Sequence, residues 1–366
     1  MDQNRIPIRE TIKQIQPYQP GKPIEEVERE YGVSNIIKLA SNENPLGPSP
    51  LAVEAMREAV EQVRLYPDND CYYLRQELAE SLGFAPDEVI IGRGSDEVIH
   101  MIGLALLNPG EQVIMAAPQF TLYDFTAYAM DCEPVLVPMR DFVTDLPAMR
   151  ERVTDRTKLV FIANPNNPMG TMVTQAEMDT FLDGLPDRVV VVLDEAYYEY
   201  VDRDGYPRSL EYIRQGLNVI VLRTFSKIYA LAGLRIGYGI ARREMVTWLN
   251  QVREPFNVSN VAQEAARASL RDPEQVARSQ RVNQEGKQYL YAEFDRLGLR
   301  YVPAQTNFIL VDIGVPCRPA FVELLKRGVI VRTADIFGLP THVRVTIGLP
   351  QENRRFIAAL EEVLGR

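Results

Sequence analysis

Histidine and cysteine are scarce in this chain. Only His100, His342, Cys71, Cys132 and Cys317 occur in 366 residues. The cysteines are odd in number, widely scattered and form no CxxC pair, which argues against a metal or redox centre and for reduced thiols in a cytoplasmic protein. A long apolar run is also missing, and the N-terminus is polar where a signal peptide needs an apolar core. The expectation is a soluble chain that stays inside the cell, with no membrane partner. No stripe of Lys or Arg stands out. Charges of both signs interleave and the formal net charge is −10, so nucleic acid is not an expected partner. Such a chain must hold any anionic ligand in a local pocket.

What is present suits an enzyme-sized globular protein. The length exceeds that of a typical single domain, and 46% hydrophobic residues suffice for an extensive core. Seven of the 25 prolines fall in the first fifty residues, which reads as an extended arm over residues 1–45 packing near the C-terminal part. Ser49-Pro50 opens a helix with Val53, Met56, Val60 and Val63 on one face. Short β-branched runs then alternate with helical stretches, at Val89–Ile91, Gln112–Ala116, Lys158–Ala163, Val189–Leu193, Val219–Arg223 and Ile236–Ile240. Val189–Leu193 is apolar throughout, as in a strand covered on both faces, so residues 46–250 read as an α/β domain with a mostly parallel sheet sandwiched by helices. Residues 251–366 read as a smaller α+β domain. It has a long charged helix over 272–300, strands at Thr306–Asp312, Val329–Thr333 and His342–Ile347, and a last helix from Gln351 to Leu364.

Chemistry-bearing residues sit where these strands end. Thr224-Phe225-Ser226-Lys227 follows Val219–Arg223, and open α/β sheets bind ligands past the carboxyl ends of their strands. A protected lysine there suits amine chemistry with a carbonyl cofactor. Asp194-Glu195-Ala196-Tyr197 follows the buried run Val189–Leu193. Pyridoxal 5′-phosphate works as an electron sink only while its ring nitrogen stays protonated, a role for Asp194, with Tyr197 donating to the phenolic oxygen. Taken alone, a strand-end Asp more often caps a helix. The turn Asn164-Pro165-Asn166-Asn167-Pro168-Met169-Gly170 is non-helical and aims an amide, Asn167, at that same oxygen; it also reads as a plain connection. Gly92-Arg93-Gly94-Ser95-Asp96-Glu97 opens a helix whose N-terminus is a phosphate site or simply an acidic cap. Arg235 offers a fork-shaped cation for the same phosphate. Arg344, in the apolar strand Val343-Arg344-Val345, and Arg332 each read as a clamp on a substrate anion or as half of an internal salt bridge.

In this order the motifs resemble the fold-type I pyridoxal-phosphate-dependent transferases of the aspartate aminotransferase kind, and among them the histidinol-phosphate aminotransferase family. The similarity runs from about residue 5 to the end and includes Ser41-Asn42-Glu43-Asn44-Pro45, Tyr66-Pro67-Asp68, Arg253-Glu254-Pro255-Phe256-Asn257 and Arg344-Val345-Thr346-Ile347-Gly348. The resemblance implies that Lys227 is the Schiff-base lysine and proton shuttle, that Asp194 holds the pyridinium, and that Tyr197 and Asn167 tune the phenolic oxygen. It implies a phosphate site of Ser95, Asp96, Thr224, Ser226 and Arg235, with Glu97 in the cofactor set and Phe120 stacked on the ring. Tyr66 would reach the neighbouring subunit's cofactor, making the protein an obligate homodimer. Arg344 would clamp the substrate's polar end, Arg332 would suit a phosphorylated one, and Asn42 would join the substrate set. The implied reaction converts histidinol phosphate and 2-oxoglutarate to imidazole-acetol phosphate and glutamate, in histidine biosynthesis. An aromatic amino-acid aminotransferase and an amino-acid phosphate decarboxylase are the alternatives on the same scaffold. A pyridoxal-phosphate-dependent regulator would carry a DNA-binding domain, for which the chain has no room ahead of the arm. Three positions depart from the family: Met169 stands for threonine, Phe120 for tyrosine and Ala230 for glycine.

Overall fold

The computed structural model describes residues 8–15, 17 and 21–366; Pro7 and Pro20 of the expected arm lie outside the described residues. The arm is not extended throughout. Helix α1 (Ile24–Tyr31) starts directly after Pro23 and stops at Gly32, which adopts the left-handed conformation at φ 66°. Proline is harmless at a helix start, and the eight residues that follow contain none. Then come β1 (Ile37–Lys38), α2 (Pro50–Val60), α3 (Tyr72–Leu82), β2 (Val89–Gly92), α4 (Gly94–Leu106), β3 (Gln112–Ala117), α5 (Leu122–Ala129) and β4 (Glu133–Pro138). The alternation continues with α6 (Leu146–Glu151), β5 (Thr157–Ala163), α7 (Gln175–Leu182), β6 (Val190–Asp194), α8 (Ser209–Arg214), β7 (Val219–Thr224), β8 (Gly237–Ile240), α9 (Arg243–Val252) and α10 (Asn260–Leu270). The chain closes with α11 (Pro273–Arg296), β9 (Arg300–Val302), β10 (Phe308–Asp312), α12 (Cys317–Lys326), β11 (Val329–Ile330), β12 (Arg332–Thr333), β13 (His342–Thr346) and α13 (Pro350–Leu364).

Seven strands form one sheet in the order β2-β8-β7-β6-β5-β3-β4. Six share one direction, and β8 runs against both its neighbours. Alternate residues feed separate cores on the two faces. Val191, Leu193 and Val221 join one with α2, α3, α7, α8 and α10, while Val190, Val192 and Leu222 join the other with α4, α5 and α9. This double cover explains why β6 is apolar without alternation. Strand β4 was hidden by Pro134 and Pro138. It lies at the sheet's edge, where a residue without an N–H costs no ladder bond.

The expected apolar face of α2 is only partly used. Ala52 and Ala59 are the buried residues, set against the alanine-rich α10, whereas Val60, the last residue of the helix, is 54% exposed and Val63 lies beyond its end, 59% exposed. Small side chains let two helices approach closely, and the larger apolar ones are left outside.

A second, antiparallel sheet of order β12-β13-β10-β9 packs with α11, α12 and α13 around Phe294, Ile309, Val345 and Phe356. The run expected as one strand over 329–333 serves two sheets. Val329–Ile330 pairs with β1, and Arg332–Thr333 pairs with β13. Val27 and Ala40 from the N-terminal segment share a small core with Leu325 and Ile330. Among the described residues, no helix is long and apolar enough to cross a membrane.

Candidate active site

The strand order lays out a site along one edge of the large sheet. Successive strands deliver residues from their carboxyl ends: Gly94–Asp96 after β2, Thr224–Lys227 from the last residue of β7 onward, Asp194–Tyr197 from the last residue of β6 onward, Asn167 after β5 and Phe120 after β3. Because β8 is reversed, its beginning lies at this same edge. Gly237 pairs with both Gly92 and Thr224, so Arg235 arrives beside them. Ser95, Asp96, Phe120, Asn167, Asp194, Tyr197, Thr224, Ser226, Lys227 and Arg235 all line one cavity of about 580 Å³. Ser41 and Glu43, Ile15 and Pro17 from the N-terminal segment, and Tyr123 of α5 are also in its wall.

At the phosphate-like end, α4 starts at Gly94, and the N–H groups of a helix's first turn have no intrahelical acceptor. Arg235 lies across this turn, with Nη2 2.8 Å from Oδ2 of Asp96 and Nη1 donating to Oγ of Ser226 at 3.3 Å. Two glycines make the approach possible. A Cβ on Gly94, at φ +78°, would come within 2.7 Å of the Arg235 guanidinium, and one on Gly237 would come within 2.5 Å of the Ser95 nitrogen.

Asp194 is 6% exposed. Its Oδ2 accepts the hydroxyl of Tyr123 at 2.7 Å, and its Oδ1 accepts the Ala196 N–H at 3.1 Å. Burial pushes this carboxyl up to about 6, and the two hydrogen bonds hold it back from going further. Lys227 Nζ faces the Ser41 carbonyl at 3.4 Å and lies 5.4 Å from the centre of the Tyr197 ring. Behind Tyr197 is Asn42, whose Nδ2 donates to the phenol oxygen at 2.9 Å. Asn42 is 1% exposed and is held by Thr346, so it supports Tyr197 from outside the cavity surface. Arg344 stands in the same relation to Asn167, donating from Nη1 to Oδ1 at 2.6 Å while Nη2 binds the Ala40 carbonyl. Arg332 is directly opposite Arg344 in the strand register.

Asn42, Arg332 and Arg344, expected to touch substrate, are not among the residues lining the cavity, and neither are Glu97 and Tyr66. Glu97 turns away from the cavity, and its Oε2 accepts the Arg93 N–H at 2.7 Å and the Asn257 amide at 2.6 Å. It shares a sequence run with Ser95 and Asp96, but each helical residue rotates about 100° from the last, so this one points back to fasten the turn. Tyr66 is 82% exposed and stacks on Phe256 with 4.7 Å between centroids, outside its own chain's cavity.

Other contributors carried no sequence signal of their own. Tyr123 meets Asp194 only through the fold. Glu195 and Arg223, both buried, form an ion pair at 2.9 Å that ties the ends of β6 and β7 together, with the Tyr198 ring 3.7 Å from the guanidinium carbon.

The donor set fits pyridoxal phosphate. A dianionic phosphate suits a helix N-terminus with hydroxyls and an arginine fork, cradled where two Cβ atoms would intrude. A protonated ring nitrogen suits the buried Asp194, and an aldehyde suits the Lys227 amine.

Fold and site together define an aminotransferase scaffold, and a family model described as aminotransferase class I and II matches residues 34–360. The chain belongs to this family. Within it the similarity is to proteins named histidinol-phosphate aminotransferase. That of Moorella thermoacetica is 56% identical over 97% of this chain and 92% of its own length. Histidinol-phosphate aminotransferase 2 of Carboxydothermus hydrogenoformans is 46% identical over 98% and 99%. Among solved structures, the histidinol-phosphate aminotransferase of Sinorhizobium meliloti in complex with pyridoxal-5′-phosphate superposes with a TM-score of 0.89. It is 29% identical and covers 98% of this chain and 97% of its own.

Proposed function

We propose that the protein uses pyridoxal phosphate to move the amino group of histidinol phosphate to 2-oxoglutarate, as a homodimer. The observation that carries this reading is the shared cavity of Lys227 and Asp194, an amine and a buried carboxylate delivered by adjacent strands. When bound there, the cofactor supplies the electron sink that makes a proton on the substrate's α-carbon removable. Lys227 would hold the cofactor through its amine, and the same amine would carry the proton from the substrate's α-carbon to the other end of the transfer. Asp194 keeps the ring nitrogen protonated. Tyr197 and Asn167 donate to the phenolic oxygen, each steadied by a partner, Asn42 and Arg344. Arg344 and Arg332, opposite each other on neighbouring strands, bind the substrate's phosphate, and Arg344 takes the carboxylate of 2-oxoglutarate in the return half-reaction. Val60, Val63, Leu65, Tyr66, Tyr72 and Tyr73 are each more than half exposed on α2, α3 and their connection. So much apolar surface supports a second copy covering this face and receiving Tyr66 at its own cofactor.

The test uses Arg332→Ala with two donors. Turnover of histidinol phosphate should fall at least tenfold in kcat/KM while that of phenylalanine is unchanged. Equal losses on both, or none, would overturn the phosphorylated donor. Borohydride treatment of the cofactor-loaded protein should place the pyridoxyl label on Lys227, and a label on any other residue would end the reading.

A further inference from the structure

The carboxylate of Asp194 has a dedicated side-chain donor that belongs to neither the cofactor set nor the substrate set. Tyr123 projects from the first turn of α5, 1% exposed. Its ring lies parallel to Phe161 of β5, with centroids 4.6 Å apart at 4°, and meets Phe120 edge-on at 5.8 Å. Two aromatic contacts leave the ring no freedom to swing, so the hydroxyl is fixed where it meets Oδ2 of Asp194 at 2.7 Å. We propose that Tyr123 is a positioning residue: it keeps the Asp194 carboxylate charged and aimed at the cofactor nitrogen, and so sets the pH below which the protein releases its cofactor.

The charges around Asp194 show why a donor is needed. From α4 comes Asp96, already paired with Arg235 at 2.8 Å. On its own strand end stand Glu195, paired with Arg223, and Tyr197, which accepts from Asn42. After β7 comes Lys227, whose Nζ is engaged with the Ser41 carbonyl. The turn after β5 presents the backbone N–H of Asn164, which serves the Asp194 carbonyl rather than its carboxylate. Burial is the largest influence raising this carboxyl, and Asp96 and Glu195 add to it, while the Tyr123 hydroxyl is the largest influence opposing the rise. Tyr123 itself is held far above its ordinary value, first by burial and then by the facing Asp194 charge, so it stays protonated and remains a donor. A hydrogen bond to a buried charge is among the stronger ones, which is why one hydroxyl can govern the protonation of its partner.

This inference rests on Asp194 facing the ring nitrogen. Its test is a binding titration, not an activity. Pyridoxamine 5′-phosphate forms no bond to Lys227, so its affinity for the cofactor-free protein is free of that amine's own chemistry. Measured by calorimetry from pH 5 to 8.5, wild-type affinity should weaken as the pH falls through the region near 6 where Asp194 takes up a proton. Tyr123→Phe keeps the ring and its stacking and removes only the hydroxyl. Its transition should move up by about one pH unit, with the plateau above the transition within twofold of wild type. An unshifted transition, or a uniform weakening at all pH values, would make Tyr123 a packing residue and overturn the proposal. On an Asp194→Asn background, Tyr123→Phe should change nothing further; a loss there as large as in wild type would also overturn it. The underlying reading fails in a different way: Asp194→Asn would then bind as tightly as wild type at every pH, whatever Tyr123→Phe does.

Discussion

Arg344 and Asn167 are joined by a 2.6 Å hydrogen bond between a guanidinium on β13 of the small sheet and an amide on the turn that follows β5 of the large one. The same guanidinium holds the Ala40 carbonyl at 2.9 Å, so it gathers the N-terminal segment as well. A lysine at this position keeps the charge but cannot serve two acceptors in a fixed plane. For Arg344→Lys, kcat/KM should fall on the order of 100-fold, about 3 kcal/mol, with cofactor affinity changed by less than threefold. Steady-state kinetics alongside a cofactor titration separates the two.

The buried Asp194 carries a cost that cofactor-free protein must bear. Its carboxyl sits at about 6 in the fold against an ordinary value of 3.8. A raised acid destabilises the fold once ionised, so the penalty is absent below about pH 4, grows between there and 6, and is fully present above. The gap corresponds to roughly 3 kcal/mol. Asp194→Asn keeps both neighbours satisfied, because the Tyr123 hydroxyl can turn to accept from the amide. Without cofactor, the variant should melt a few degrees above wild type at pH 7.5, with no difference near pH 4. Adding pyridoxal phosphate should reverse the order at pH 7.5. Thermal melts at the two pH values, with and without cofactor, decide it.

Gly237 leaves room that the phosphate end needs. A methyl there meets backbone atoms, the Ser95 nitrogen and the Gly94 carbon, at 2.5 and 2.7 Å, and neither can swing aside. Gly237→Ala should push the first turn of α4 out of place and weaken pyridoxal phosphate by about 10- to 100-fold, the range of 1–3 kcal/mol common for overpacking. Binding of pyridoxal without its phosphate should change much less. Equal losses for both would point to general unfolding instead.

If Tyr66 serves the neighbouring subunit, two dead proteins can make a live one. Tyr66→Ala and Lys227→Ala should each be nearly inactive alone. After mixing and subunit exchange, half of the dimers are hybrids, and one of the two sites in each is intact, so activity should return to roughly a quarter of wild type. No recovery after exchange, verified by mass, would place Tyr66 in its own chain's chemistry or in none.

Much of the architecture could be read from the chain because β-branched runs and strand-end motifs report local environment directly. Val189–Leu193 announced a strand covered on both faces, and the residues after it, with those after Val219–Arg223, marked one edge of the sheet. What escaped has a physical cause in each case. Pro134 and Pro138 disguised an edge strand that tolerates them. Arg300–Val302 is too short to show a period. Val60 belongs to the apolar pattern of a helix that buries its alanines instead, and Val63 continues that pattern past the point where the helix ends. Glu97 shares a motif with cavity residues but sits one helical step further round. Tyr123 carried no signal because its partner is 71 residues away and meets it only across the sheet.

The single reversed strand has a consequence for how this chain can vary. The connection from Thr224 to Gly237 carries both the amine at 227 and the guanidinium at 235, and its two ends are stitched to each other in the ladder. Surface connections usually tolerate extra residues. This one acts as a gauge between two chemical groups, so a one-residue insertion over 228–234 would leave the sheet intact yet misplace one group against the other. Length drift should therefore gather in other loops and spare this hairpin.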